Sequence, residues 1–420
     1  MTRRVSPLAL RNGCIKYFDM KYFSPQATRF FFIVLLFACG CSSDDTPNPS
    51  EEQFLVSSEF VWSTTAQQLR LLIQLGGMDI NPNEFLYDIE IYKVVYNTTY
   101  DGSTITASGL VAIPKTTEQV GMLSFHHGTI TNREDAPSNF SSSAANSVSY
   151  AGIASVGFIG VIPDYLGFGN SSSILHPYYV EEYTASSILD MLKAAAEFAK
   201  QKNLQFNGKL FLAGYSEGGY ATMAAHKAIE SEGLDGFNLI ASFPGAGAYD
   251  LTGMQKYIFS LQDYNDPHYL AYMARAYQIE YDENDLLTDF FKEPYASRIP
   301  ALFDGQKGAD EINAQLTSKV SDLVQADMLN NINTNPNYDY LETAFVENSL
   351  TDWSPKIQMF MYHGLSDTTV PYQNSVDTYN KLLANGTSTG ILTLTPLDGT
   401  HSTAIDPYIA AIIGKILSLK

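Results

Sequence analysis

A serine that is to act as a nucleophile needs a turn that exposes it, a base to take its proton and an acid to orient that base. The segment Leu210-Phe211-Leu212-Ala213-Gly214-Tyr215-Ser216-Glu217-Gly218-Gly219 offers the first of these. Its apolar run reads as a buried strand, Gly-Tyr-Ser-Glu-Gly as a sharp turn, and Ala221 to Ile229 has helix-forming composition. This is the strand–turn–helix context of a nucleophile elbow. Gly214 and Gly218 flank the serine where an adjoining strand and helix leave no room for a Cβ. The helix N-terminus and the free Glu217 N–H favour the negative charge that an acyl-transfer intermediate develops.

A base and its orienting acid are available downstream. Lys356 to His363 reads as a buried strand ending in Gly364-Leu365-Ser366-Asp367, which sets Asp367 at the strand's tip. Gly390 to Pro396 reads as another strand by its β-branched alternation, and it runs into a loop that carries His401. The chain order Ser216, Asp367, His401 is not that of either large serine-protease fold. The long interval before Asp367 leaves room for a large insertion, and the shorter one before His401 for a helix.

Val120 to Phe125 reads as a strand leading into His126-His127-Gly128-Thr129. Elbow enzymes take one oxyanion N–H from the loop after the third strand and the other from the residue after the nucleophile. Thr129, with Gly128 as the alternative, and Glu217 are the candidate donors. The two adjacent histidines point to opposite faces of a strand, and no carboxylate or cysteine cluster at ligand spacing accompanies them. No metal site is expected. Tyr165, at the end of the strand before Pro163-Asp164-Tyr165, and Tyr215, beside the serine, are expected to line the substrate cleft.

Residues from about Ala66 to Lys420 resemble the secretory-lipase branch of the α/β-hydrolases, a group of secreted yeast lipases and their bacterial relatives. The resemblance is carried by Thr106 to Pro114, His127-Gly128-Thr129, Pro163-Asp164-Tyr165-Leu166-Gly167-Phe168-Gly169, His176-Pro177-Tyr178, Gly214 to Gly219, Asn348 to Pro355 and His363 to Pro371. It implies an α/β-hydrolase fold: a mainly parallel sheet covered by helices on both faces, with a helical cap inserted before the strand that carries the acid. It also implies hydrolysis of carboxylic esters without metal or organic cofactor. Yeast members usually carry disulfides, whereas Cys14, Cys39 and Cys41 are the three cysteines here, all before the enzyme domain.

Strand patterns near 120–125, 153–162, 209–213, 237–243, 356–363 and 390–396 alternate with helical stretches, Glu181–Lys200 being the clearest, as a doubly covered parallel sheet requires. Ala66 to Leu75 reads as a short helix stopped by Gly76-Gly77, and residues 86–97 and 103–113 as an antiparallel pair joined around Asp101-Gly102. Between Tyr249 and Trp353 the strand pattern lapses into a helical stretch rich in aromatic rings. These divisions give a hydrolase core of residues 56–249 and 354–420 and a helical cap of residues 250–353. Most cap rings are expected to form its own core, and some to face the serine and exclude water.

Arg29 and the apolar run Phe30–Ala38 fit the h-region of a signal peptide, being shorter than the about 20 residues of a membrane span. Residues 1–40 are read as that leader, with Met20 as an alternative start. An apolar stretch, a small residue and a cysteine resemble a bacterial lipoprotein signal. Cys41, with Cys39 as the competing site, would be acylated, and residues 41–55 would tether the enzyme to a bacterial outer membrane or cell surface. The chain carries a net charge of −20, which excludes nucleic acid as a partner, since phosphate binding needs a basic surface. The expected partner is a small-molecule or lipid ester, with membrane contact through the anchor alone. Acyl length, alcohol specificity and oligomeric state are open at this level. A prolyl-type peptidase on the same fold and a non-catalytic surface binding protein are the competing readings.

Overall fold

Alternating apolar residues, β-branched and aromatic, build one mixed sheet in the computed structural model, which describes residues 53–76, 81–139 and 147–420. The leader, Cys39, Cys41 and most of the tether lie outside the described residues. The chain passes through β1 (Leu55–Thr64), α1 (Ala66–Gly76), β2 (Ile89–Tyr100), β3 (Ser103–Pro114), β4 (Gln119–His126), α2 (Ser147–Ser155) and β5 (Phe158–Pro163). It continues through α3 (Glu181–Gln201), β6 (Gln205–Tyr215), α4 (Glu217–Glu232) and β7 (Asn238–Gly245).

A helical insertion follows, made of α5 (Leu251–Ser260), α6 (Pro267–Glu280), α7 (Leu286–Phe290) and α8 (Tyr295–Leu302). It is completed by α9 (Ala309–Asn313), α10 (Val320–Leu323), α11 (Ala326–Asn331) and α12 (Asp339–Glu347). The sheet resumes with β8 (Gln358–Gly364), α13 (Tyr372–Ala384), β9 (Leu392–Leu397) and α14 (Ile405–Leu419).

Across the sheet the order is β1-β2-β3-β5-β4-β6-β7-β8-β9. The pairs β1/β2, β2/β3 and β3/β5 are antiparallel, and every pair from β5 to β9 is parallel. Asp101 and Gly102 both have positive φ, as the two-residue hairpin between β2 and β3 requires. Strand alternation sorts the two faces. Leu210 and Leu212 pack with α3 and α4, while Phe211 and Ala213 pack with Tyr408, Ile412 and Ile416 of α14. Fully burying a ring such as Phe211 contributes about 2–3 kcal/mol. The parallel strands therefore end along one edge of the sheet, where their following loops gather.

The insertion closes on itself at its neck. Leu251 N–H donates to Ser349 Oγ at 3.0 Å and Leu350 N–H to the Tyr249 carbonyl at 2.8 Å. Asn374 Oδ1 accepts from the N–H groups of Tyr249 and Asp250. Asn348 Oδ1 accepts from Glu181 N–H, the first residue of α3. Of the cap rings, Tyr264, Tyr272, Tyr277, Phe290, Phe291 and Phe303 are buried in its core.

Three details differ from the sequence reading. The apolar run 153–162 is not one strand: α2 occupies it to Ser155, and β5 begins only at Phe158. Gly157, at φ +92°, makes the reversal that separates them. Residues 53–55 are not free tether, because Glu197 of α3 accepts from Phe54 N–H at 3.0 Å and from Leu55 N–H at 2.8 Å. Strand β1 itself was not apparent, since as an edge strand it leaves Val56 and Phe60 exposed and carries no clean alternation.

Glu197→Ala should release the start of β1. We expect a lower urea midpoint, equivalent to about 1–2 kcal/mol, and faster amide exchange in residues 54–64. An unchanged midpoint and exchange rate would mean that β1 is held without this carboxylate.

Candidate active site

The turn after β6 is held under compression. Ser216 lies at φ 61° and ψ −123°, a region rare for a residue with a Cβ. A Cβ on Gly214 would strike the Gly218 carbonyl, and one on Gly218 the His126 carbonyl. Ser216 N–H donates to the Gly245 carbonyl at 2.8 Å. The buried Tyr408 hydroxyl accepts from Gly214 N–H at 2.9 Å and donates to the Phe243 carbonyl at 2.6 Å. Helix α4 starts at the next residue, so its first N–H groups and positive dipole end lie beside the serine.

His401 Nε2 stands 2.8 Å from Ser216 Oγ, and His401 Nδ1 2.6 Å from Asp367 Oδ2. The carboxylate can only accept from Nδ1–H, which leaves Nε2 as the acceptor facing the serine hydroxyl. Tyr215 reaches across to donate its hydroxyl to the His401 carbonyl at 2.9 Å, which pins the histidine loop. Asp367 is buried, and burial alone would raise its carboxyl. Hydrogen bonds from His363 and His401 outweigh that and hold it below the usual carboxylate range. Its Oδ1 also accepts from Thr369 N–H at 3.0 Å and Val370 N–H at 2.9 Å.

His363 was not singled out from sequence, where it reads as the last residue of an apolar strand. Its Nε2 lies 3.1 Å from Asp367 Oδ2 and 2.9 Å from the Val370 carbonyl, so it carries the hydrogen. Its Nδ1 lies 2.7 Å from Ser375 Oγ. The ring thus donates to the acid from beneath. Cap and acid loop are tied together as well: Tyr257 and Tyr264 hydroxyls donate to the Thr368 and Thr369 carbonyls, and Thr369 Oγ1 donates to Asp266.

The loop after β4 runs past the nucleophile. A Cβ on Gly128 would stand 3.7 Å from Ser216 Cβ. His127 Nδ1–H donates to the Gly128 carbonyl at 2.7 Å, and Thr129 Oγ1 lies 2.8 Å from the Tyr178 hydroxyl. Glu217, the first residue of α4, turns its buried carboxylate onto His176 Nε2 at 2.7 Å. The adjacent histidines go to different places. His126 is buried, with Nδ1–H on Thr222 Oγ1 at 2.8 Å and Nε2 accepting from Ser124 Oγ at 2.9 Å.

A cavity of about 50 Å³ opens beside Ser216, lined mainly by Tyr178, Leu251, Ile258, Tyr269, Met273 and Val370. The cap therefore supplies much of its wall. Tyr165 and Tyr215 are not among the lining residues. Tyr165 is buried behind the oxyanion loop, its ring tilted against His127 with centroids 4.3 Å apart and its hydroxyl donating to the His127 carbonyl at 3.0 Å. Tyr215 is spent on the His401 carbonyl. Both tyrosines brace loops instead of lining the cleft. A second apolar cavity, about 80 Å³, lies between α1, α2 and α14, away from this chemistry.

Comparison with known proteins agrees with this architecture. A model of the secretory lipase family matches residues 135–263. A protein of Legionella pneumophila subsp. pneumophila str. Philadelphia 1, assigned as a hydrolase, superposes with a TM-score of 0.77 at 27% identity, over 87% of this chain and 98% of its own. The ligand-bound form of the rice cell wall degrading esterase LipA from Xanthomonas oryzae gives 0.77 at 23% identity, over 87% and 99%. Candida antarctica lipase A gives 0.63 at 15% identity, over 87% and 82%, and shares the fold. No match was found among curated protein sequences.

Burial sets a pH dependence of stability. Burial, aided by the nearby His127, lowers His126 to about 3, and burial also lowers His226 and His268. The unfolded chain protonates these rings near their ordinary pKa of about 6.5, while the folded chain does not. Their contribution is complete above about pH 6.5 and is lost progressively as pH falls below it, that of His126 as far as about pH 3. Calorimetric Tm should fall steadily between about pH 7 and pH 5, with a shallower slope in His126→Gln. A flat wild-type profile would contradict neutral, buried histidines.

Proposed function

We propose that this chain, an α/β-hydrolase of the secretory lipase family and a carboxylic-ester hydrolase, works through an acyl-enzyme on Ser216. The continuous run from Ser216 Oγ through His401 to Asp367, at 2.8 and 2.6 Å beside an apolar cavity, carries this reading. Ser216 Oγ attacks the ester carbonyl carbon while His401 Nε2 takes its proton. The oxyanion forms against the Glu217 N–H and the N–H of Thr129 or Gly128, near the positive end of α4. Collapse breaks the bond to the alcohol oxygen, which receives the proton held on Nε2. Water then attacks the acyl-enzyme by the same route, releasing the acid and restoring Ser216. Asp367 holds the imidazole tautomer and stabilises the imidazolium. The chemistry uses side chains and backbone alone.

The acyl group occupies the cavity under α5 and α6, so soluble esters of short to medium acyl chain are the favoured substrates. Each buried methylene contributes about 0.8 kcal/mol at most, and the preference is graded. Export follows from the leader, and the mature chain is held at a membrane surface by lipid on Cys41. No helix of the described residues is long and apolar enough to cross a membrane.

Ser216→Ala should lose at least about 10³-fold in kcat on p-nitrophenyl butyrate while keeping its fold. Near wild-type turnover would overturn the mechanism. In a profile of acyl lengths, butyrate esters should exceed emulsified long-chain triglyceride, and the reverse order would exclude this pocket assignment. Faster cleavage of prolyl anilides than of esters would indicate peptidase chemistry. Mass spectrometry should find the mature N-terminus at diacylated Cys41; a start at acylated Cys39, or an unmodified start elsewhere, would correct the anchor.

A further inference from the structure

The tripeptide His176-Pro177-Tyr178 has no place in the proton transfers above, yet it touches both candidate oxyanion donors. On one side, His176 Nε2 lies 2.7 Å from Glu217 Oε1, and Glu217 supplies the N–H after the nucleophile. On the other, the Tyr178 hydroxyl lies 2.8 Å from Thr129 Oγ1, on the loop that supplies the second N–H. His176, Glu217 and Tyr178 are buried, so water cannot replace the His176–Glu217 bond.

Proton counting makes the first contact strong. His176 Nδ1 is 2.7 Å from the Leu166 carbonyl, an acceptor only, so Nδ1 carries a hydrogen. Between Nε2 and the Glu217 carboxyl there is then one shared proton, on either atom, and the bond is charge-assisted or a neutral carboxyl-to-imidazole bond. The pair is neutral overall in both forms, which suits its burial. The Leu166 turn approaches His176 this closely because Gly167, at φ +89°, has no Cβ to strike the His176 backbone.

The second contact rests on the cap. Tyr178 stacks on Tyr272 of α6 with centroids 4.6 Å apart and an interplanar angle of 15°, and Tyr272 stacks on Phe303 at 4.6 Å. Tyr178 also lines the cavity beside Ser216. Its ring is fixed by the cap while its hydroxyl is fixed to the oxyanion loop.

We infer that His176 and Tyr178 are positioning residues that hold the two halves of the oxyanion hole in register, His176 through the Glu217 side chain and Tyr178 through Thr129. This rests on the acyl-enzyme reading of Ser216. Aligned donors matter more to the transition state than to the bound ester, so loosening them lowers kcat and leaves KM largely alone.

The test uses full-length wild type, Tyr178→Phe and His176→Gln on p-nitrophenyl butyrate, with inhibition by a trifluoromethyl ketone that forms an oxyanion on the serine. Tyr178→Phe keeps the stacked ring and removes only the hydroxyl, so it remains informative if His176→Gln does not fold. Each folded variant should lose about tenfold or more in kcat, with KM within about threefold. Ketone affinity should weaken in proportion to kcat/KM. Wild-type kcat in Tyr178→Phe, or a loss confined to KM, would overturn the inference while leaving the mechanism intact. If wild type neither labels at Ser216 with a fluorophosphonate nor cleaves the ester, the acyl-enzyme reading and this inference fall together.

Discussion

The site depends on a backbone that holds Ser216 in the left-handed region at a point where strand β6 meets helix α4. A conformation of this kind costs about 1–3 kcal/mol for a residue with a side chain, and it survives only where the surroundings leave no alternative. Here Gly214 and Gly218 let the turn close against the His126 carbonyl, and the Ser216 N–H and Tyr408 hydroxyl bonds secure it from below. Because the turn is tight, the helix begins at the very next residue. The hydroxyl, the Glu217 N–H and the helix dipole then act on one point. A relaxed turn would separate them.

Parallel strands determine where the partners of that serine can come from. Asp367 follows β8 and His401 follows β9, and both strands run in the same direction as β6. Their tips therefore gather at one edge, and loops of modest length suffice to bring an acid and a base together. The insertion leaves the sheet after β7 at that same edge, so it cannot avoid lying over the serine. Its neck is closed by side chains of Asn348, Ser349 and Asn374, and its tyrosines bond to the loop that carries Asp367. The substrate wall and the acid are thereby built from one connected body.

Polar groups behind the site are buried but paired. His126, His176 and His363 each have both ring nitrogens engaged. Asp164, in the turn behind the oxyanion loop, accepts from Ser108 Oγ and Ser138 N–H, while burial raises its carboxyl above the usual range. Unpaired, such groups would cost about 1–3 kcal/mol each, so loops of this region can adopt few other arrangements. Rigidity at an oxyanion site has a direct chemical use, since donors that need not reorganise stabilise the developing charge most.

The parts of the fold with a local signal were legible along the chain. Apolar runs and alternation marked β2 to β4 and β6 to β9 within a few residues, glycine spacing marked the tight turn, and the ends of apolar runs marked Ser216, Asp367 and His401 as candidates. Lapse of the strand pattern marked the helical insertion. Whatever depends on the group facing a residue was fixed only by packing. Edge strand β1 has no alternation because residues on both of its faces stay exposed along most of its length, so only its pairing with β2 reveals it. Tyr165 and Tyr215 sit next to functional turns in sequence, yet their hydroxyls are drawn inward by the carbonyls of His127 and His401. His363 and His176 gained their roles from partners brought by other loops, Asp367 and Glu217. A side chain's type and neighbours in the chain limit what it can do, but which hydrogen-bond partner it meets is a property of packing between segments far apart in sequence.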